Sequence, residues 1–248
     1  MNGRSTVLLL LAWTSPLFAG ETSPTRVLVP LMLQGAVTEL EPQLRSRAGG
    51  SLQIEYVQMA KLVERLGQGE QADVTVVTRA ATQQLAAQGR VKSQADLVQS
   101  ELGLAVADSA PAPVLNTTED FVAFLRLTPS IAYFGAGASG AVFTSFVERH
   151  GLTDIIRQKA TVITEGFASS LVRDGKVASA IQPVSELKFG GANNVVPLPE
   201  SVQVRSISCV VVFNTARRTD VADRIVQVLK SDEAAAAYRR AGLTSLFD

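Results

Sequence analysis

Residues 130–151, SIAYFGAGASGAVFTSFVERHG, constrain the fold more than any other stretch. Ser130 to Phe134 is a short apolar run of the kind that forms a buried strand. Gly135 to Gly140 supplies small residues through which the backbone can turn tightly. Val142, Phe143, Phe146 and Val147 then recur at helical spacing, and Gly151 stands where a helix ends. The run predicts a strand, a tight turn and a helix, with Ser139 as the helix N-cap. The start of a helix carries unpaired N–H groups and a partial positive charge, so it can hold an anion without Lys or Arg. Ser139 is the leading candidate contact, with the backbone amides of Gly140 and Ala141 beside it. The plainer alternative is that the glycines only turn the chain and let helix and strand pack closely.

The same alternation precedes this run. Arg26 to Leu33, Leu52 to Val57 and Ala72 to Val77 read as strands. Helices follow each of them, around Ala36 to Leu44, Leu62 to Leu66 and Ala80 to Gln88, closed by Gly49, Gly67 and Gly89. Strands alternating with helices predict an α/β lobe with a mostly parallel sheet. Further strands are read at Leu102 to Ala107, Ala160 to Thr164, Val177 to Gln182 and Ser206 to Phe213. Two amphipathic helices close the chain, Val221 to Leu229 and Glu233 to Ala241. The Pro-rich loop at 108–113 and the Pro-flanked stretch at 197–205 are compositional seams. They predict two crossings between lobes: 21–106 and 205–248 in the first lobe, 107–204 in the second.

The first twenty residues read differently. Arg4, an apolar core from Val7 to Trp13 and a small Pro-containing stretch to Gly20 form a secretory signal peptide, cleaved near Ala19 or Gly20. The apolar core is too short for a membrane span. The 23 basic and 23 acidic residues balance and no basic run occurs, so nucleic acid is not an expected partner. Cys209 is the one cysteine, so no internal disulfide can form; a secreted chain without disulfides points to a bacterial periplasm. Cys209 lies in an apolar run and reads as a small buried hydrophobe. His150 is the one histidine, beside Gly151 at a helix end, where a cation is favoured. One His and one buried Cys make no metal site, and no cofactor is implied.

Several stretches, taken in order, resemble the periplasmic molybdate-binding protein family, a group of type II substrate-binding proteins of ABC transporters. They are Val27-Leu28-Val29 with Leu33-Gln34-Gly35-Ala36-Val37; Gly69-Glu70-Gln71-Ala72-Asp73-Val74 with Leu85-Ala86-Ala87-Gln88-Gly89; Ser130 to Tyr133 with Ala138-Ser139-Gly140; and Ala180 to Leu187 with Val196 to Pro199. The resemblance spans the mature chain. It implies two α/β lobes that close by hinge motion on a ligand in the cleft between them. It places Gln34 and Gly35 at the first helix start facing the cleft, and Gln58 and Lys61 at the second. Gln182, an amide ending an apolar strand, joins them, and Arg79 follows a strand at the edge where open α/β sheets bind ligands.

The chain departs from the family where molybdate binders carry serines. Leu31-Met32-Leu33 and Val57-Gln58-Met59-Ala60-Lys61 stand there instead, and Gln182-Pro183 replaces a common Tyr. A thioether cannot donate to an oxyanion. The expected ligand is therefore an organic anion such as a di- or tricarboxylate, with methionines adapting to its apolar parts. A monomeric periplasmic receptor serving an ABC permease in the inner membrane is the first functional reading. An isomerase of unsaturated tricarboxylates on the same scaffold, like the family's aconitate isomerase relatives, is the second. It would need an acid and a base, for which Lys61 and Glu165 are candidates. A sensory binding domain without a permease is the third.

Overall fold

A computed structural model describes residues 23–247; the segment read as a signal peptide, 1–20, lies outside the described residues. The first elements in chain order are β1 (Thr25–Pro30), a 3-10 turn (Leu31–Leu33), α1 (Gln34–Ala48), β2 (Leu52–Val57), α2 (Met59–Gly67), β3 (Val74–Thr78), α3 (Arg79–Ala87) and β4 (Val91–Ser100). The second group is β5 (Leu102–Val106), α4 (Thr118–Leu127), β6 (Ile131–Phe134), α5 (Gly137–Arg149), α6 (Thr153–Lys159), β7 (Ala160–Ile163), α7 (Ala168–Arg173), β8 (Ser179–Pro183), α8 (Val184–Phe189) and β9 (Val195–Pro197). After the 3-10 turn Glu200–Val202 come β10 (Ser206–Phe213), α9 (Thr219–Leu229), α10 (Asp232–Ala241) and β11 (Thr244–Ser245).

These build two sheets, one per lobe. The first runs β11-β4-β10-β3-β1-β2 and the second β7-β6-β8-β5-β9. The expected mostly parallel sheet holds for β1, β2 and β3 alone. β10 returns antiparallel to β3, and β4 and β11 add antiparallel neighbours. In both β1 and β10 successive side chains go to opposite faces. Val27, Val29, Val210 and Val212 pack under α1, α9 and α10, while Leu28, Val211 and Phe213 pack under α2 and α3. The second sheet is asymmetric. Its α4–α5 side carries Leu104, Ile131 and Ile181, whereas its α7–α8 side carries Ala105, Ala132 and Ala180. Small residues bring α8 close to the sheet, and α8 also touches the first lobe.

The first crossing falls at Glu101, between β4 and β5, rather than in the Pro-rich loop. Leu102–Val106, expected in the first lobe, pairs with β8 and β9 of the second. The Pro-rich loop follows it and only leads to α4. The return crossing passes through Gln203 to Arg205 and enters β10. The side chain of Gln203 ties the two crossings: its Oε1 accepts from the Leu102 amide at 2.7 Å and its Nε2 donates to the Leu102 carbonyl at 3.1 Å. Ser206 pairs with Ser100 in the β10–β4 ladder, so the two crossing segments leave the first sheet side by side. Two adjacent crossings of this kind are the arrangement about which two lobes can hinge.

Candidate functional site

A cavity of about 410 Å³ lies between the lobes, with the hinge residues Ser100, Glu101, Leu102, Val204 and Ser206 on its wall. The first lobe contributes Met32, Gln58, Met59, Ala60, Val63 and Thr78; the second contributes Phe134, Ala136, Gly137, Ser139, Pro183 and Glu186. Most of these follow directly on the C-terminal ends of β1, β2, β3, β6 and β8, where open α/β sheets bind ligands. An adjoining crevice of about 500 Å³ shares Gln58, Ala60, Phe134 and Ala136 and adds Tyr56, Lys61, Arg65, Thr164 and Glu165. The hollow of about 550 Å³ on the outer face of the first lobe is lined from α1 to α10 by that lobe alone.

Two helix starts from opposite lobes border the cavity. α2 begins after Gln58 and α5 after Ala136, and neither has a side-chain cap. Side-chain caps occur at α3 (Thr78), α4 (a Thr117–Asp120 capping box) and α10 (Ser231), while α1, α6, α7, α8 and α9 lack them as α2 and α5 do. The leading amides of α2 and α5 are thus available to an acceptor in the cleft.

The expected contacts sort into three groups. Ser139 and Gln58 line the cavity, and Lys61 and Glu165 line the adjoining crevice, both exposed. The N-cap of α5 is Ala136, not Ser139, because the positive φ of Gly137 starts the helix earlier; Ser139 is its third residue. Gly140 is the fourth residue, past the amides a helix leaves free. It is there for packing: a Cβ would come 2.5 Å from the Phe134 carbonyl oxygen. Gln34 and Gly35 do not line the cavity. The Gln34 amide closes the 3-10 turn onto the Leu31 carbonyl, and Gly35 lies under the Phe189 ring, where a Cβ would stand 3.1 Å from Phe189 Cδ2. That contact belongs to the packed seam where α8 meets the first lobe. Arg79 pairs with Asp96 on the first lobe. His150 stacks on Phe146 with its Nδ1 2.9 Å from the Phe146 carbonyl, a helix-end arrangement.

Gln182 has a different place from the one expected. It is fully buried and does not line the cavity. Its Oε1 accepts from the Ala168 amide at 2.6 Å, at the start of α7, and its Nε2 donates to Glu186 Oε2 at 2.8 Å and to the Gly166 carbonyl at 3.3 Å. The same Gly166 carbonyl accepts from Gln58 Nε2 of the other lobe at 3.0 Å. A chain of hydrogen bonds therefore joins Gln58, Gly166, Gln182 and Glu186 across the cleft.

Glu186 is the residue that sequence reasoning missed. It is 6% exposed, lines the cavity and has no cation partner among the described residues. Loss of hydration on burial pushes its carboxyl up to about 8, so the neutral acid predominates at pH 7. A signal was present in the sequence. Gln182 and Glu186 are large polar residues four apart in a mostly apolar stretch, and such groups are generally buried with partners.

The model of the bacterial extracellular solute-binding protein family matches residues 25–244. An aconitate isomerase of a Pseudomonas species is 27% identical over 243 residues, covering 95% of this chain and 93% of that protein. Among solved structures, the periplasmic molybdate-binding protein of Azotobacter vinelandii superposes with a TM-score of 0.72 at 16% identity, over 88% of this chain and 98% of that one. The sulfate-binding protein SubI of Mycobacterium tuberculosis gives 0.65 at 12% identity, over 91% and 88%. At such identities the structural likenesses speak for the fold.

Proposed function

Since the chain belongs to the bacterial extracellular solute-binding proteins, we propose that it captures a small organic carboxylate in its interlobe cleft, in the periplasm, for an ABC permease. The observation that carries this reading is the cavity of about 410 Å³ to which both lobes contribute. Met32, Met59, Val63, Leu102 and Phe134 make its lining largely apolar, and no Lys or Arg enters it. A compact oxyanion such as molybdate needs donors on every side. A carboxylate with a carbon skeleton needs them at one end, with apolar contacts along its body. Gln58, Ser139 and the helix starts supply the donors, and Lys61 stands in the adjoining crevice with no ion pair among the described residues. Closing the lobes removes the anion from water, where these donors count for more.

The test is a thermal-shift screen of the mature protein with citrate, trans-aconitate, succinate, molybdate, sulfate and a nucleotide. A ligand at about 100 times its Kd adds ~2.7 kcal/mol of stability. At least one carboxylate should raise Tm while molybdate and the nucleotide do not. A larger shift with molybdate, or none with any carboxylate, sinks the reading. Likeness to an aconitate isomerase favours a second reading, allylic proton transfer on an unsaturated tricarboxylate. Incubating the protein with trans-aconitate and following the cis isomer separates catalysis from capture.

A further inference from the structure

Glu186 meets the cavity without any charge to balance it. Its Oε2 accepts from Gln182 Nε2 at 2.8 Å. The Gln182 amide cannot turn round, because its Oε1 is held by the Ala168 amide at 2.6 Å. A proton on Glu186 therefore sits on Oε1, which has no partner among the described residues and is open to the cavity.

The elements packed against α8 offer no counter-charge. They are β5, β8, β9, α7, the turn Leu31–Leu33, α1 and α10. The three strands and the turn hold no titratable side chain. On α7, Arg173 bonds to the Gly190 carbonyl and to Asp174. On α1 and α10, Glu39 pairs with Arg240 and Glu41 with Arg45, the Tyr238 hydroxyl donates to the Leu229 carbonyl, and Arg47, Asp232, Glu233 and Arg239 are exposed. Lys188, on α8 itself, donates to the Arg240 carbonyl. Glu101, also on the cavity wall, lies 3.9 Å from Arg205.

We propose that Glu186 binds the ligand as a neutral acid, donating the proton on Oε1 to a carboxylate oxygen, so that capture of the anion requires that proton. The proposal rests on the carboxylate reading given above. It resolves an apparent conflict in the site, an acidic residue on the wall of a cavity for anions. A protonated carboxyl is a strong donor, and a carboxylate arriving beside it disfavours its ionisation further. Burial already keeps the acid form predominant at neutral pH, with a midpoint pushed up to about 8.

The experiment is calorimetric titration with citrate and trans-aconitate from about pH 6 to about pH 9, on the wild-type protein and on Glu186→Gln. The binding-competent fraction falls as Glu186 ionises, so wild-type affinity should drop about tenfold between roughly pH 7 and 9, with protons taken up on binding at the alkaline end. Gln keeps a donor that does not titrate, so the variant should bind with little change over the same range. A flat wild-type profile, or the same decline in Glu186→Gln, overturns the proposal while leaving capture intact. If neither probe binds at any pH, it is the capture reading that fails for them. The infrared difference between wild type and Glu186→Gln then judges Glu186 alone. A protonated carboxyl band that fades towards pH 9 supports the assignment, and its absence at pH 6 overturns it.

Discussion

In the first lobe Glu70 lies between two guanidinium groups, one of them that of Arg65 in the adjoining crevice, while on the wall of the cleft Glu186 lies beside an amide. Arg65 holds Glu70 with Nε at 2.5 Å and Nη2 at 2.6 Å, and Arg26 Nη2 adds a bond at 2.5 Å. Glu55 joins the same cluster through both arginines. The hydrogen bonds from Arg65 hold the Glu70 carboxyl down at about 2, and burial without a cation pushes Glu186 up to about 8. Withdrawal from water penalises the charged form in both regions; the partner decides whether that penalty is offset. The arginine cluster uses charge to hold β1, β2 and α2 together, whereas the cleft keeps a carboxyl neutral and one of its oxygens unspent.

The two regions should respond oppositely to pH. Glu70 has a depressed folded pKa, so its contribution is complete above the unfolded value of 4.5 and is lost as pH falls towards about 2. Glu186 has a raised one, so its contribution is complete below 4.5 and is lost as pH climbs to about 8. The largest expected effect follows. Glu186→Gln should be more stable than wild type by on the order of 4 kcal/mol at pH 8, a gain that vanishes near pH 4.5. Denaturant titrations across that range check it, and parallel curves for the two proteins would show that Glu186 ionises normally.

A smaller effect is expected at the arginine cluster. Arg65→Ala removes the cation shared by Glu55 and Glu70, whose side chains are a fifth to a third exposed. Water screens such pairs, so the cost at neutral pH should be about 1–2 kcal/mol and should shrink in high salt. A loss insensitive to salt would mean that packing of the arginine stem, not its charge, is what the cluster supplies. The smallest effect tests the buried amide beside Glu186. Gln182→Met removes the one donor to the charged form of Glu186, so the midpoint of the alkaline stability loss should move up by less than about one unit. A downward movement would place another donor on Glu186.

How much of this was readable in the chain depends on what each residue needs. The strand from Ser206 to Phe213 was plain, because apolar side chains on both faces leave an unbroken run from Cys209 to Phe213. The strand from Val91 to Ser100 was not: its first half faces solvent through Lys92, Ser93 and Gln94, so no alternation marks it. It is a strand because β10 offers it a partner, and pairing is a long-range fact. The cavity lining was partly legible. Gln58 and Ser139 follow strand ends, and a strand end in an α/β lobe points to the ligand edge. Gln34 and Gly35 follow a strand end too, yet α8 of the other lobe covers Gly35 with Phe189.

Local pattern therefore pointed to alternating strands and helices and to two seams between lobes, and the family resemblance added the cleft, since periodicity and glycine placement depend on near neighbours in the chain. Tertiary structure decided the rest. It placed the first crossing at Glu101, gave Gly140 to packing and turned Gln182 from a ligand contact into the partner of Glu186. Burial and hydrogen-bond partners belong to residues far apart in sequence, and a carboxyl's charge follows from them rather than from its place in the chain.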